Sequence, residues 1–296
     1  MHLSTARTWR ERLVFMLFLL PALFFFVNVV LIPFAMGLYY SFTSWDGIRS
    51  ETALWVGLEN YERAFQDETF LDSFLRSFRY SFLQVLFVNL IGFGLALLVT
   101  SRLKSRNFLR SVYFLPNLIG GLILGFVWQF IFSKLFVQVG KVLGLENIFF
   151  NWLQDEQMAF YSLVIVSLWQ TAGYTMVIYI AGLQTIPDEL IEAASIDGAS
   201  AWQVLRRIKL PLLIPTITIN LFVTLSNALK QYDINLALTN GGPYGSTELV
   251  AMNIYQEAYR YNNFARAQAK AVLFFIVIFV ITLAQLMLSR TKETRL

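Results

Sequence analysis

Between Leu13 and Tyr40 the chain runs without a single Asp, Glu, Lys, Arg or His. A stretch this long and apolar has few folds open to it. It exceeds the ~20 residues that a helix needs to cross a bilayer, and it is longer than the apolar region of a cleaved signal peptide. It reads as a first spanning helix that stays in place, with Arg7, Arg10 and Arg12 before it. Pro21 and Pro33 lie inside it and predict a kink. Five more apolar runs follow, at 80–100, 112–132, 158–183, 212–229 and 271–288. The fold class is therefore an all-α integral membrane protein with six transmembrane helices. Charged residues make up 14% of the chain, against roughly 25% in a soluble domain.

Six spans put both termini on one side. The segments 1–12, 101–111, 184–211 and 289–296 hold 13 of the 23 Lys and Arg residues, and the longer segments 41–79, 133–157 and 230–270 hold the other 10. Base density is about twice as high on the first side, which is therefore cytoplasmic. The organisation that follows is a cytoplasmic N-terminus and first helix (1–40), an extracytoplasmic connection (41–79) and a core of spans two to six (80–296) with a cytoplasmic loop at 184–211. The bases sit beside membrane spans, so the net charge of +4 calls for lipid contact and not for nucleic acid.

Cysteine is absent and the one histidine is His2, which excludes thiolate sites and disfavours histidine chemistry. None of the six runs contains an ionisable side chain as drawn. Proton-coupled transporters place such groups within the bilayer, and membrane enzymes need a nucleophile and base, an acid pair or a metal. The pattern argues against a secondary transporter and against an enzyme. It suits a neutral solute, or energy supplied from elsewhere.

Uncharged polar residues do form stripes. Asn220, Thr224, Asn227 and Gln231 fall at i, i+4, i+7 and i+11 on the fifth span, and Ser167, Gln170, Thr171 and Tyr174 at i, i+3, i+4 and i+7 on the fourth. Each spacing marks one helix face. Such faces could line a passage for a hydroxyl-rich solute such as a sugar, or could bond helix to helix at ~0.6–2 kcal/mol per bond. The pattern leaves both readings open. Gly121 and Gly125, four apart on the third span, are read as a packing contact.

The connection 184–211 has an order of its own. Pro187 suits a helix start and Asp188 and Glu189 follow it, Gly198 marks a break, Ser200 suits a second helix cap, and Arg206, Arg207 and Lys209 fall at that helix's C-terminal end. Helix, glycine turn, helix is the expected form, with a small apolar group (Ala193, Ala194, Ile196) that suggests docking to a partner; the alternative is a solvated loop.

Glu192-Ala193-Ala194, three residues, then Asp197's neighbour Gly198, nine residues, then Ile208-x-Leu210-Pro211 resembles in full the cytoplasmic signature of ABC-importer permease subunits. Asn240-Gly241-Gly242-Pro243 and Gly57-Leu58-Glu59-Asn60-Tyr61 resemble the carbohydrate, maltose-permease-like branch. The resemblance implies a type I ABC importer permease fold, a second homologous permease, two cytoplasmic ATP-binding subunits and an extracytoplasmic solute-binding protein. ATP and magnesium would be bound by the ATPase partner, with no cofactor in this chain. Glu192, Ala193, Ala194, Asp197, Gly198, Leu210 and Pro211 would form the ATPase-coupling segment, with Glu192 pairing a base of the ATPase. Carried over position by position, the sugar path would include Thr171, Tyr174, Thr224, Asn227 and Gln231, beside Gln170 and Asn220 from the polar stripes. Asn227 stands where the maltose-type pattern has an aromatic and Ala228 where it has asparagine. The short 41–79 connection lacks the large extra domain of the maltose subunit. Permeases for glycerol phosphate or a polyol are the same-class alternative.

Overall fold

The computed structural model describes residues 9–49, 53–101 and 104–293. His2, Arg7, Arg102 and Arg295 lie outside the described residues, as do the side chains of Arg10, Arg12, Arg290 and Lys292. The described chain is nearly all helix. Five helices are long and apolar enough to cross a membrane, and a bent pair supplies a sixth. They are α1 (Leu13–Tyr40), α3 (Glu68–Thr100), α5 (Gly121–Leu143), α6 (Glu156–Leu183), the pair α8 (Ala201–Leu212) and α9 (Ile214–Leu229), and α12 (Phe264–Glu293). Shorter helices lie between them: α2 (Glu59–Gln66), α4 (Arg106–Phe114), α7 (Asp188–Ile196), α10 (Asp233–Leu238) and α11 (Val250–Tyr259).

The kink expected in α1 takes the form of a π turn, Val27–Leu31. Pro33 has no N–H for the Val29 carbonyl, and a wider turn is one way for a helix to continue past that gap. Three boundaries differ from expectation. The second span does not start at Tyr80: α3 begins at Glu68, capped by Asp67 Oδ1, which accepts from the N–H groups of Thr69 (3.0 Å) and Phe70 (3.2 Å). The residues before Tyr80 share the span's register, with Phe70, Ser73, Ser77, Ser81, Gln84 and Val88 all buried, so the boundary between 79 and 80 falls inside one helix. The third span is not 112–132. Pro116 stands in a short 3-10 turn, Leu115–Leu118, that separates α4 from α5, and α5 runs on to a left-handed cap at Gly144 (φ 68°). The last helix starts at Phe264, not Ala271, and so contains Arg266 and Lys270. The spans as the helices draw them are not wholly free of ionisable groups.

The backbone forms two compact units. Among the described residues, one comprises those up to Gln66 with Ile254–Leu273, the other those from Asp67 to Asn253 and from Phe274 on. In the larger unit, α3, α6, α5 and α10 enclose Tyr80, Leu124, Phe132, Leu163, Val166, Ile234 and Leu238. Gly121 and Gly125 pack as read, and the partner is α10: a Cβ on Gly125 would sit 2.5 Å from the Ala237 Cβ, and one on Gly121 2.8 Å from the Asp233 Cβ. After α10, the Asn240–Pro243 turn is held from within. The buried Asn235 donates to the Thr247 carbonyl (2.9 Å) and accepts from the Leu249 N–H (3.3 Å), while the Thr247 hydroxyl donates to the Gly242 carbonyl (2.8 Å).

In the smaller unit, the segment Gly57–Tyr61 closes the first connection. The buried Asn60 amide donates to the carbonyls of Ser41 (2.9 Å) and Thr43 (2.8 Å), and the Tyr61 hydroxyl meets that of Ser41 (2.6 Å). Asp46 accepts from the N–H groups of Ile48 and Arg49, which hold its carboxyl below the usual carboxylate range. Lys270 is fully buried and donates to Glu257 Oε2 at 2.6 Å; Glu257 Oε1 accepts from Asn263 (2.8 Å), with the Arg266 guanidinium 3.4 Å away. Lys270→Met leaves the buried Glu257 with Asn263 and the more distant Arg266. It is expected to lower the unfolding free energy by about 3 kcal/mol, the low end for breaking a buried pair, and Glu257→Gln/Lys270→Met by clearly less; thermal unfolding of the detergent-solubilised protein, compared across the two variants, checks the difference.

Candidate functional site

Two places bring the sequence-selected residues together. The first is an uncharged cavity of about 230 Å³ between α3, α6 and α9, lined by Tyr80, Gln84, Asn117, Ser167, Thr171, Tyr174, Thr224, Asn227 and Gln231, with Val88, Val223 and Ala228 among the rest. No lining residue carries a charge. Of the seven residues chosen for the path, Thr171, Tyr174, Thr224, Asn227 and Gln231 line it. Gln170 does not. Its amide turns to the Ile119 carbonyl (2.9 Å), beside a smaller concavity that Gln231 also lines. Asn220 does not either: it is fully buried, and its amide faces the Thr175 carbonyl at 3.5 Å.

The stripes on α6 and α9 thus carry both roles that the pattern left open. Interhelical bonding is present: the Thr224 hydroxyl donates to the Asn220 carbonyl (2.7 Å) and accepts from the Asn89 amide (3.1 Å), and Asn89 in turn accepts from the Tyr179 hydroxyl (2.8 Å). Bonding capacity also remains unused. Gln84 gives its amide to the Thr171 hydroxyl (2.9 Å), and Thr171 passes its proton to the Ser167 carbonyl (2.7 Å). The Gln84 carbonyl oxygen and the Ser167 hydroxyl are then buried without partners. Buried polar atoms of this kind are costly unless water or a solute completes them. Gln84, Asn117 and Asn89 were not singled out from the sequence. For Gln84 the signal was there, because Ser73, Ser77, Ser81 and Gln84 repeat at three- and four-residue steps along α3.

The second place is the hairpin of α7 and α8. Asp188 and Glu189 occupy the first turn of α7, after Pro187. Its C-terminus closes with Gly198 in the left-handed region (φ 75°), and the Ala199 N–H reaches back to the Ala194 carbonyl at 2.9 Å. Ser200 caps α8 through a reciprocal capping box with Gln203. Among the described residues nothing covers the outer face. Glu192, Ala193, Asp197 and Gly198 are exposed, Ala194 is half-buried, Ile196 is 87% exposed and Trp202 65%. A Cβ on Gly198 would meet no atom within 4 Å. Leu210 and Pro211 end α8 half-buried, just before the 69° bend at Leu213 into α9. The hairpin is therefore fixed directly to the helix that contributes Thr224, Asn227 and Gln231 to the cavity. A force applied at the hairpin has a short route to the passage.

Comparison with known proteins agrees with this geometry. The model of the family described as binding-protein-dependent transport system inner membrane component matches residues 88–293. The chain is 42% identical to the probable starch degradation products transport system permease protein AmyD of Thermoanaerobacterium thermosulfurigenes, over 98% of this chain and 99% of that one. It is 30% identical to the trehalose/maltose transport system permease protein MalF of Thermococcus litoralis, over 99% of each. Its backbone matches a chain in the crystal structure of a bacterial ABC transporter involved in the import of the acidic polysaccharide alginate, with a TM-score of 0.84 at 24% identity, over 95% of this chain and 96% of the other. The fold is that of an ABC importer permease, and the chain belongs to the family of inner-membrane components of binding-protein-dependent transport systems.

Proposed function

We propose that this chain is the permease subunit of a carbohydrate importer, that an oligosaccharide crosses the membrane through the cavity between α3, α6 and α9, and that ATP hydrolysis in a cytoplasmic partner drives the step through α7. The observation that carries the reading is the cavity's lining: hydroxyls, amides and the Tyr80 and Tyr174 rings, with two unpartnered buried oxygens and no charge. Sugar hydroxyls both donate and accept, and their C–H faces lie against aromatic rings. AmyD and MalF, named for starch degradation products and for trehalose and maltose, support the same solute class. The second homologous permease, two ATP-binding subunits and an extracytoplasmic binding protein complete the proposed assembly, with both termini of this chain in the cytoplasm.

The strip of Glu192, Ala193, Asp197 and Gly198, exposed, with the half-buried Ala194, is the proposed seat of the ATPase, with Glu192 facing a base on that subunit. Small side chains at Ala193 and Ala194 let two backbones approach closely, and Gly198 supplies a turn that L-residues enter at a cost of roughly 1–2 kcal/mol. Gly198→Trp is expected to cut coupled transport more than tenfold while the chain still inserts, since the space around that position is empty within this subunit. Gly198→Asn, which tolerates the left-handed region, keeps most of the activity. Transport and ATP hydrolysis by the reconstituted complex, measured side by side, check both.

The cavity is tested from inside. Gln84→Leu, Tyr174→Ala and Gln231→Ala should each reduce transport by about 5- to 100-fold, the equivalent of ~1–3 kcal/mol for a lost buried hydrogen-bond partner, without loss of assembly. Uptake of labelled maltotriose into proteoliposomes, with subunit stoichiometry checked on the same samples, is the measurement; unchanged uptake in all three would assign the stripes to packing alone.

A further inference from the structure

We infer that a second polar concavity, beside the coupling hairpin, is a binding site for a phosphate group. It measures about 360 Å³ and is lined by Thr100, Arg106, Arg110, Gln184, Asp188 and Lys209 with a few aliphatic neighbours. Its residues come from five parts of the chain: the C-terminal end of α3, one face of α4, the link from α6 into α7, the first turn of α7, and the end of the π turn within α8. Three cations therefore converge on one pocket against a single acid. Among the described residues none of the three forms an ion pair, with Asp188 or with any other carboxylate.

Cations near helix C-termini have an ordinary role, which is to meet the terminal carbonyls. Part of Arg110 does this: its Nη2 lies 3.5 Å from the Val99 carbonyl. That contact is long and uses one N–H of Nη2. The Arg110 Nε beside it is buried and has no partner. Nε and the adjacent Nη form the fork that takes two oxygens of one oxyanion. Arg106, one helical turn away on α4, and Lys209, from α8, add charge to the same pocket without an acid of their own. A tetrahedral phosphate supplies enough oxygens for all three, and it neutralises a net charge that Asp188 alone does not. The phosphate of an acidic lipid headgroup and free inorganic phosphate share this chemistry. Because Lys209 belongs to the helix that leads into α9 while Arg106 and Arg110 belong to α4, a bound phosphate ties the hairpin to the larger unit's membrane helices at the point where the hairpin is proposed to move.

The test uses the full chain in nanodiscs, with two probes. Native mass spectrometry reads retained phosphatidylglycerol from discs of mixed phosphatidylglycerol and phosphatidylcholine. Thermal unfolding in discs of phosphatidylcholine alone reads stabilisation by inorganic phosphate. Arg110→Gln and Arg106→Gln/Lys209→Gln are expected to lose retention or phosphate stabilisation about tenfold or more, as the loss of a charge-assisted hydrogen bond implies. Arg206→Gln/Arg207→Gln, which removes two exposed bases of the same helix outside the pocket, keeps it. Retention of the lipid without a response to inorganic phosphate assigns the site to a headgroup, and a response to both assigns it to free phosphate as well. The proposal is overturned if wild type binds neither probe, or if the Arg206/Arg207 control loses binding as fully as the pocket variants, which would make the attraction a general property of a basic surface.

Discussion

A bilayer interior offers no hydrogen-bond partner, so each polar group carried into it must be met by another part of the protein or by something passing through. The larger unit is built around that constraint. Backbone groups are met within helices. Among side chains, Tyr179, Asn89, Thr224 and the Asn220 carbonyl form one continuous chain of bonds across α6, α3 and α9, and Gln84, Thr171 and the Ser167 carbonyl form another. The first chain holds helices together, away from the cavity except at Thr224. The second ends at the cavity, where the Gln84 carbonyl oxygen and the Ser167 hydroxyl have no partner.

The same constraint explains how charge is handled. Charged groups are kept from the cavity, and Lys270, fully buried, is matched by Glu257. In the proposed import cycle an uncharged lining supplies no energy of its own, and direction comes from a moving part. The α7–α8 hairpin is suited to that work: it is ordered internally by its caps, bare on its outer face, and continuous through the Leu213 bend with a cavity-lining helix.

Much of this was legible in the residues. The uncharged run Leu13–Tyr40 and the helix–glycine–helix order of 184–211 follow from local physics, and five of the seven chosen path residues do meet at one cavity. What was not legible depended on distant partners. Lys270 was cut from the last span because hydropathy registers its charge and not the Glu257 that meets it. Gln170 and Asn220 share a helix face with cavity residues, but Ile119 and Thr175 sit opposite them and turn them into packing groups. The start of α3 falls at Glu68 and not at Tyr80: the polar, charged composition before Tyr80 reads as a connection, although it continues the same helix. The break before α5 was present as Pro116 and outweighed by the apolar run around it.

The central claim is that a passive, uncharged passage in this chain is worked by ATP hydrolysis elsewhere. The most direct test reconstitutes the complete importer in proteoliposomes with the extracytoplasmic binding protein and labelled maltotriose. Uptake is followed with ATP supplied to the ATPase side or withheld, under imposed proton and sodium gradients. The account predicts uptake that needs ATP and is indifferent to both gradients. Uptake that persists without ATP and follows an ion gradient would contradict it.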